Sequence, residues 1–491
     1  MPSTTSFKFQ KVGGHHRGSK TRQIDKNPID FLTKRIYNKT MLKRFISPKI
    51  LDYLQSQAKN ALLVTGARQV GKTFLIRELL KQEKCDYVEI NFLENRKAKE
   101  LFSNYKSTKD LLDRISAVSN HSLIKGKTII FFDEVQEVKE IVTAIKFLVE
   151  EGSYKYILSG SMLGVELSNI ASQPVGYIDE IKMFPLDFSE FAIALGASST
   201  TLEKLRSNFN NKEKVDDIIN DQMLSLFKLY LIIGGMPEAI NAYISTNDLN
   251  EVFNVQKNIM LRYREDIVKY VDKEKIYIKA IFDNIPSELN KQNKRFIYSN
   301  INKNFRFDRS ENNFIWLTDA GVANACFVVD ELRVPLKLSK ASNLFKLYQS
   351  DVGLLVSTCD KTLQMNILND DKNVNFGSIY ENAVAQILKA HGYDLYFYNN
   401  KKRGEIDFVI EEKGKVYPIE IKSGKYYIRH RALSNVVNDK LNGITVGYVY
   451  GNCNVHNENN IQYFPIYMID FLSKVDDSKN IYKIDIEMLK K

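Results

Sequence analysis

The chain is poor in cysteine, and its four cysteines do not cluster. Cys85, Cys326, Cys359 and Cys453 are scattered, with no C-x-x-C pair. This argues against a zinc site and a disulfide framework and suits a reducing cytoplasm. No apolar run approaches the ~18 residues of a membrane span, so no membrane partner is expected. Met1–Lys8 has no hydrophobic signal-peptide core, and the expected location is cytoplasmic. Residues 61–491 also lack a charge excess: 57 Lys/Arg face 56 Asp/Glu, which excludes a basic nucleic-acid glove. Residues 1–60 carry thirteen Lys/Arg and three Asp/Glu, so nearly all of the net +11 sits there. Residues 1–28, rich in Gly, Ser, His and Lys, read as a basic, disordered arm. Such an arm can also bind phosphate backbones without sequence preference.

What the chain does have begins with Gly66–Thr73, which reads GARQVGKT and fits G-x-x-x-x-G-K-[ST]. The apolar run Ala61–Val64 leads in as a buried strand, and Phe74–Leu80 follows with helical spacing. This strand–loop–helix setting predicts a triphosphate cradle. Gly66, Ala67, Arg68, Gln69, Val70, Gly71, Lys72 and Thr73 are the predicted nucleotide-binding residues. Glycines let backbone N–H groups close on phosphate oxygens, and the helix N-terminus adds its positive dipole end. Lys72 is predicted to reach the β- and γ-phosphates, and Thr73 to ligate Mg²⁺.

A second apolar strand, Thr128–Phe132, ends in Asp133-Glu134. Two acids at a strand's C-terminal end suit metal holding and water activation. Asp133 is assigned the metal role and Glu134 the base role. The next strand ends in Ile157-Leu-Ser-Gly-Ser161, and Ser159 or Ser161 is placed to reach the γ-phosphate or the lytic water. Arg262 and Arg264, on the charged pattern Asn258–Tyr270, are candidates for a trans-acting arginine or for a solvated helix face. Expected strands are Ala61–Thr65, Tyr87–Asn91, Thr128–Phe132, Tyr156–Ser159 and Gly176–Phe184. Helical patterns between them predict a parallel α/β sheet.

These motifs, GARQVGKT, FFDEVQ and ILSGS, resemble those of an AAA-type P-loop ATPase family whose C-terminal domain has no assigned function. The likeness continues through Pro185–Phe191 (PLDFSEF), Tyr230–Ile240 (YLIIGGMPEAI), Phe345–Leu355 (FKLYQSDVGLL) and Glu420–Lys425 (EIKSGK), spanning roughly residues 30–475. It implies ATP binding and hydrolysis with Mg²⁺. The family pattern has a Gly-Arg pair after the Ser-Gly-Ser strand. Here Gln173–Tyr177 contains no arginine, which leaves the oligomeric state open.

Near the C-terminus, Gly404–Ile410 reads as a strand carrying Asp407, and Val416–Lys422 as its hairpin partner. Period-two alternation puts Glu420 and Lys422 on one face. Asp407, Glu420 and Lys422 resemble the D…E-x-K core of restriction-endonuclease-like nucleases, and Glu381 on the preceding helix would complete it. A solvated, salt-bridged hairpin explains the same residues without chemistry. The nearby basic residues Lys401, Lys402, Arg403, Lys425, Arg429, His430 and Arg431 favour the nuclease-like fold.

The expected architecture is an α/β multidomain chain. It comprises the arm (1–28), an AAA-type ATPase core (29–199) and a helical lid (200–270). A winged-helix-like module (271–340) and a restriction-endonuclease-like α/β domain (341–491) follow. Within 271–340, helices are expected at Ile276–Ile285, Ser287–Gln292, Phe296–Ile301 and Phe314–Ala325, with a β-like stretch at Val328–Leu336. Three functions fit: an ATPase coupled to DNA handling, an ATP-regulated metal-dependent DNA nuclease, and a nucleotide-switched scaffold without turnover. The expected partners are ATP and, as a candidate, DNA.

Overall fold

The computed structural model describes residues 41–474 except 103, 139, 162–175, 271–274, 292–293, 298–306, 372–373, 375, 425 and 440–442. The basic arm, Gln173 to Val175, residues 298–301 and Lys425 therefore lie outside the described residues.

Five parallel strands form the first sheet: β1 (Ala61–Thr65), β2 (Tyr87–Asn91), β3 (Ile129–Asp133), β4 (Lys155–Gly160) and β5 (Ile178–Lys182). Their order is β2-β3-β4-β1-β5. The all-apolar runs in β1 and β3 reflect a sheet covered on both faces. Leu62, Val64, Phe131 and Ile157 join one apolar cluster, and Ala61, Leu63, Phe132 and Leu158 the other. The helix Lys72–Gln82 packs Leu75, Ile76, Leu79 and Leu80 on the first face, and Thr108–Ser119 and Glu140–Glu151 cover the second. Because β4 lies between β1 and β3, the ends of all three strands converge beside the phosphate loop.

Helices fill the middle of the chain: Ser199–Asn211, Asp217–Ile233, Pro237–Thr246, Leu249–Tyr270 and Lys275–Leu289. Pro237 opens its helix at N1, where a missing N–H costs nothing. Among the described residues no single helix is long and apolar enough to cross a membrane. The pair Asp217–Ile233 and Pro237–Thr246 reaches the length only together, bent by 116°.

The second sheet has eight strands in the order β12-β13-β11-β10-β9-β8-β6-β7. They are β6 (Ala323–Val329), β7 (Lys340–Gln349), β8 (Tyr396–Asn400), β9 (Gly404–Glu412), β10 (Lys415–Lys422), β11 (Gly447–Gly451), β12 (His456–Glu458) and β13 (Ile461–Pro465). Its centre is built from the helix Phe376–Ala390, the meander β8-β9-β10, the helix Arg431–Val437 and β11, which returns parallel to β10.

The expected winged-helix-like module is not seen among the described residues of 271–340. β6 pairs antiparallel with β7 and parallel with β8, so its residues belong to the eight-stranded sheet, and a boundary at 340 would cut a hairpin. The expected helix Phe314–Ala325 is instead the helix Phe307–Asp319 followed by β6. A short apolar run does not reveal its period, and here strand pairing decided it. The two helices expected around Pro286 form one, Lys275–Leu289, with the proline inside. Phe296 is not in a helix; its N–H donates to Phe345 O at 2.8 Å. One apolar cluster runs from the first sheet through the central helices into the second sheet.

Candidate functional site

The phosphate loop is shaped by backbone that only certain residues adopt. Gly66 has φ 141°, and a Cβ there would lie 2.1 Å from Met183 O. Gly71, φ 94°, caps the helix that begins at Lys72. The Lys72 ammonium is buried and donates to Gly66 O at 2.9 Å and Ala67 O at 2.8 Å. Burial lowers its pKa to about 8, against the pull of Glu134 and Asp133.

Asp133 is the focus of this site. It accepts hydrogen bonds from Thr73 Oγ1 at 2.9 and 3.0 Å, from Asn91 Nδ2 at 2.8 Å and from the Ser159 hydroxyl. The structure thus brings Lys72, Thr73, Asp133 and Ser159 together at the ends of β1, β3 and β4. Glu134 follows in the left-handed region, φ 59°, and accepts from Gln136 Nε2, which also reaches Ser161 Oγ at 3.4 Å. Asn91 and Gln136 were not singled out from the sequence; Asn91 ends β2, the strand next to β3, and topology alone exposes its role.

The central helices press on the loop. Arg68 pairs with Asp266 of Leu249–Tyr270 at 2.6 Å, and Tyr263 Oη donates to Arg68 O at 3.0 Å. Burial pushes the Asp266 carboxyl up to about 6, with Arg68 and Lys269 opposing. Gln69 donates to Glu238 at 3.3 Å, and a Cβ on Gly321 would meet Ala67 N at 3.2 Å. Of the two candidate trans-acting arginines, Arg264 is bound to Asp283 at 2.7 Å and Arg262 is exposed.

The second predicted constellation also converges. Glu381, Asp407, Glu420 and Lys422 all line one cleft of about 370 Å³. Asp407 Oδ2 accepts the Ile421 N–H at 2.8 Å, and Lys422 Nζ donates to Glu420 Oε1 at 2.7 Å. Glu420 Oε2 is buried and has no hydrogen-bond partner among the described residues. Burial first, then Glu420 and Glu381, pushes the Asp407 pKa well up; burial likewise raises that of Glu420, against Lys422.

Two further lysines were not anticipated. Lys294 donates to Glu381, and the fully buried Lys346 of β7 lies 2.8 Å from Glu405 and 3.8 Å from Glu381. Burial alone would raise Glu381, but Lys346 and Lys294 hold it below the usual range. Lys294 sits in no local motif, and Lys346 lies within the Phe345–Leu355 stretch without its partner being apparent, so only the three-dimensional fold reveals their roles. The expected basic surface is thinner than the sequence suggests. His430 is buried, bonded to Tyr463 Oη at 2.6 Å, with its pKa lowered by burial, and Arg403 is tied to Asp439.

Residues 58–192 match the family model described as an AAA domain. The match covers the five-stranded sheet and its phosphate loop, and it supports an AAA-type ATP-binding ATPase core. Residues 224–364 and 376–469 match two models, each described as a domain of unknown function, which lend the nuclease-like resemblance no support. An uncharacterized protein of Methanocaldococcus jannaschii is 25% identical over 400 residues, 76% of this chain and 78% of that protein. Among solved structures, the Walker-type ATPase of Pyrococcus abyssi aligns over 65% of this chain and 96% of its own, at 16% identity and TM-score 0.39. The Aeropyrum pernix ORC1 protein in complex with DNA aligns over 66% and 90%, at 12% identity and TM-score 0.28. Both scores are too low for any property of those proteins to be carried over.

Proposed function

We propose that this chain is a Mg²⁺-dependent ATPase whose nucleotide state acts on a nuclease-like cleft in its C-terminal module. The observation carrying the ATPase reading is the Asp133 carboxylate, held by Thr73, Asn91 and Ser159 beside the Lys72 ammonium. Hard oxygen donors from Thr73 and Asp133 fit Mg²⁺, which would neutralise charge on the β- and γ-phosphates. Loop N–H groups and Lys72 bind and orient the triphosphate, and Asn91 and Ser159 fix the carboxylate that faces Thr73. Glu134, one residue past Asp133, takes the proton of the attacking water, and Gln136 holds its side chain. ATP turnover by the wild type and by Lys72→Ala tests this. Metal-dependent hydrolysis that survives in the variant would overturn it.

Glu420 Oε2, buried beside Asp407 and Glu381 and without a partner among the described residues, favours a metal-dependent phosphodiester reaction as the output, with DNA as the substrate class. In this reading the described residues from Ala323 onward act as one module, because β6 and β7 complete its sheet. Plasmid nicking with Mg²⁺ or Mn²⁺ is expected from the wild type and lost in Asp407→Asn, with ATP turnover retained. No cleavage of duplex, branched or single-stranded DNA by the wild type would remove the nuclease reading and leave the ATPase reading standing.

A further inference from the structure

Away from both sites, three side chains meet where the ATPase core touches the C-terminal module. Asp187 is the N-cap of the helix Phe188–Ala194. His391 follows the helix Phe376–Ala390, and Asp470 lies in the 3₁₀ turn Ile466–Phe471. His391 Nε2 is 3.2 Å from Asp187 Oδ2 and 3.7 Å from Asp470 Oδ1, and the three atoms lie within 4.8 Å of one another.

The other atoms of these groups are already engaged, which fixes what faces inward. His391 Nδ1 lies 2.5 Å from Leu472 O. A carbonyl only accepts, so Nδ1 carries hydrogen, and in the neutral ring Nε2 presents a lone pair. That lone pair faces two carboxylate oxygens. Three electron-rich atoms in this arrangement need a cation among them: burial opposes a proton on Nε2, but the bond to Asp187 and the charge of Asp470 raise the His391 pKa to about 9, so a metal ion would enter by displacing that proton. Asp187 Oδ1 accepts the Glu190 N–H at 2.8 Å, and Asp470 Oδ2 accepts the Ser189 N–H at 2.9 Å. Among the described residues, besides His391, only a long 3.3 Å contact from Phe188 N reaches Asp470 Oδ1. Asp187 Oδ2 and Asp470 Oδ1 are therefore the oxygens left to a guest.

The spacing suits a small tetrahedral ion. Nitrogen and oxygen ligands at about 2.0–2.1 Å from zinc stand about 3.3 Å apart, close to both separations here. The Nδ1–H bond to a backbone carbonyl and the N–H groups on each carboxylate are the outer partners that orient metal ligands. Asp470 is 1% exposed, and the His391 side chain is 14% exposed, which leaves an edge by which an ion can enter.

We propose that Asp187, His391 and Asp470 form a structural site for one divalent transition-metal ion of the zinc class, with water as the fourth ligand, clamping the ATPase core to the C-terminal module. An imidazole nitrogen in the set points away from Mg²⁺ and Ca²⁺, which take oxygen ligands. The site needs none of the cysteines whose scatter argues against zinc.

The test is Co²⁺ titration of chelator-stripped, full-length protein carrying Asp407→Asn, which weakens the acidic cleft as a competitor; its remaining carboxylates offer oxygen ligands only. One equivalent of Co²⁺ should give the strong visible absorption of a tetrahedral site, and Zn²⁺ should bleach it. In His391→Gln or Asp470→Asn the Co²⁺ affinity should fall at least about tenfold. If His391→Gln does not fold, Asp470→Asn, which keeps an oxygen for the Ser189 N–H, carries the comparison. No tetrahedral band without these substitutions overturns the proposal. So does a band of unchanged affinity in Asp470→Asn, which would put the ion elsewhere.

Discussion

Arg68, inside the phosphate loop, is bound at 2.6 Å to Asp266 of the helix Leu249–Tyr270. A carboxyl buried in this way resists ionisation, and its folded-state pKa rises to about 6, from an ordinary 3.8. A raised carboxyl stabilises the fold most at low pH, and that contribution is lost as pH rises through about 6. Urea melts of wild type and Asp266→Asn should therefore diverge. Wild-type stability relative to the variant should fall by on the order of 1 kcal/mol between pH 5 and 7.5. A pH-independent difference would mean that Asp266 is not held near 6.

Ser159 and Asn91 hold the carboxylate of Asp133 from two neighbouring strands. Removing either leaves Asp133 in place but held by one fewer donor, beside Thr73 and the remaining partner. In Ser159→Ala the Mg²⁺ concentration for half-maximal ATP turnover should rise about tenfold or more. Nucleotide binding measured without metal should change little. Loss of both together would point to a folding defect instead.

Lys294 reaches into the acidic cleft and binds Glu381. Its positive charge competes with any cation there. Lys294→Ala should strengthen Mn²⁺ binding at the cleft, read by electron paramagnetic resonance, by about tenfold. Adding Asp407→Asn should cancel the gain. An unchanged affinity would mean that Lys294 and the ion do not share the site.

Gly235 sits where no side chain fits: a Cβ would lie 2.1 Å from Leu186 O and 2.7 Å from Leu186 N. Its own N–H donates to the buried Asp351 at 2.6 Å, and its carbonyl accepts from Leu186 N at 2.7 Å. Gly235→Ala should cost about 3 kcal/mol, the upper end of overpacking, seen as a lower midpoint in calorimetry. A near-neutral result would show that the two segments can part easily.

How much of this was readable in the sequence depended on distance along the chain. Gly66–Thr73 is legible because eight consecutive residues do the work. Asp133 followed from a strand ending in two acids, and Asp407, Glu420 and Lys422 from period-two alternation across a hairpin. Glu381 was legible only through a family resemblance. Lys294 and Lys346 were not, since each acts on a carboxylate far away in sequence. Arg68 was read as part of a cradle, yet its partner lies 198 residues away. Ala323–Ala325, read as the end of a helix, misled for a different reason: a short apolar run is helix or strand according to what it meets. Here it met β7.

β6 has one more consequence. Its approach begins at Gly321, against the phosphate-loop amide of Ala67, and five residues later Cys326 is paired across the ladder with Lys346, beside Glu381. At about 3.3 Å per strand residue that path is about 17 Å, roughly half a turn, or about five base pairs, along a DNA duplex. A bound triphosphate and a bound phosphodiester would then be near neighbours. At about two Debye lengths their direct repulsion is largely screened, so any coupling between the two sites would have to travel through β6 and the residues packed against it.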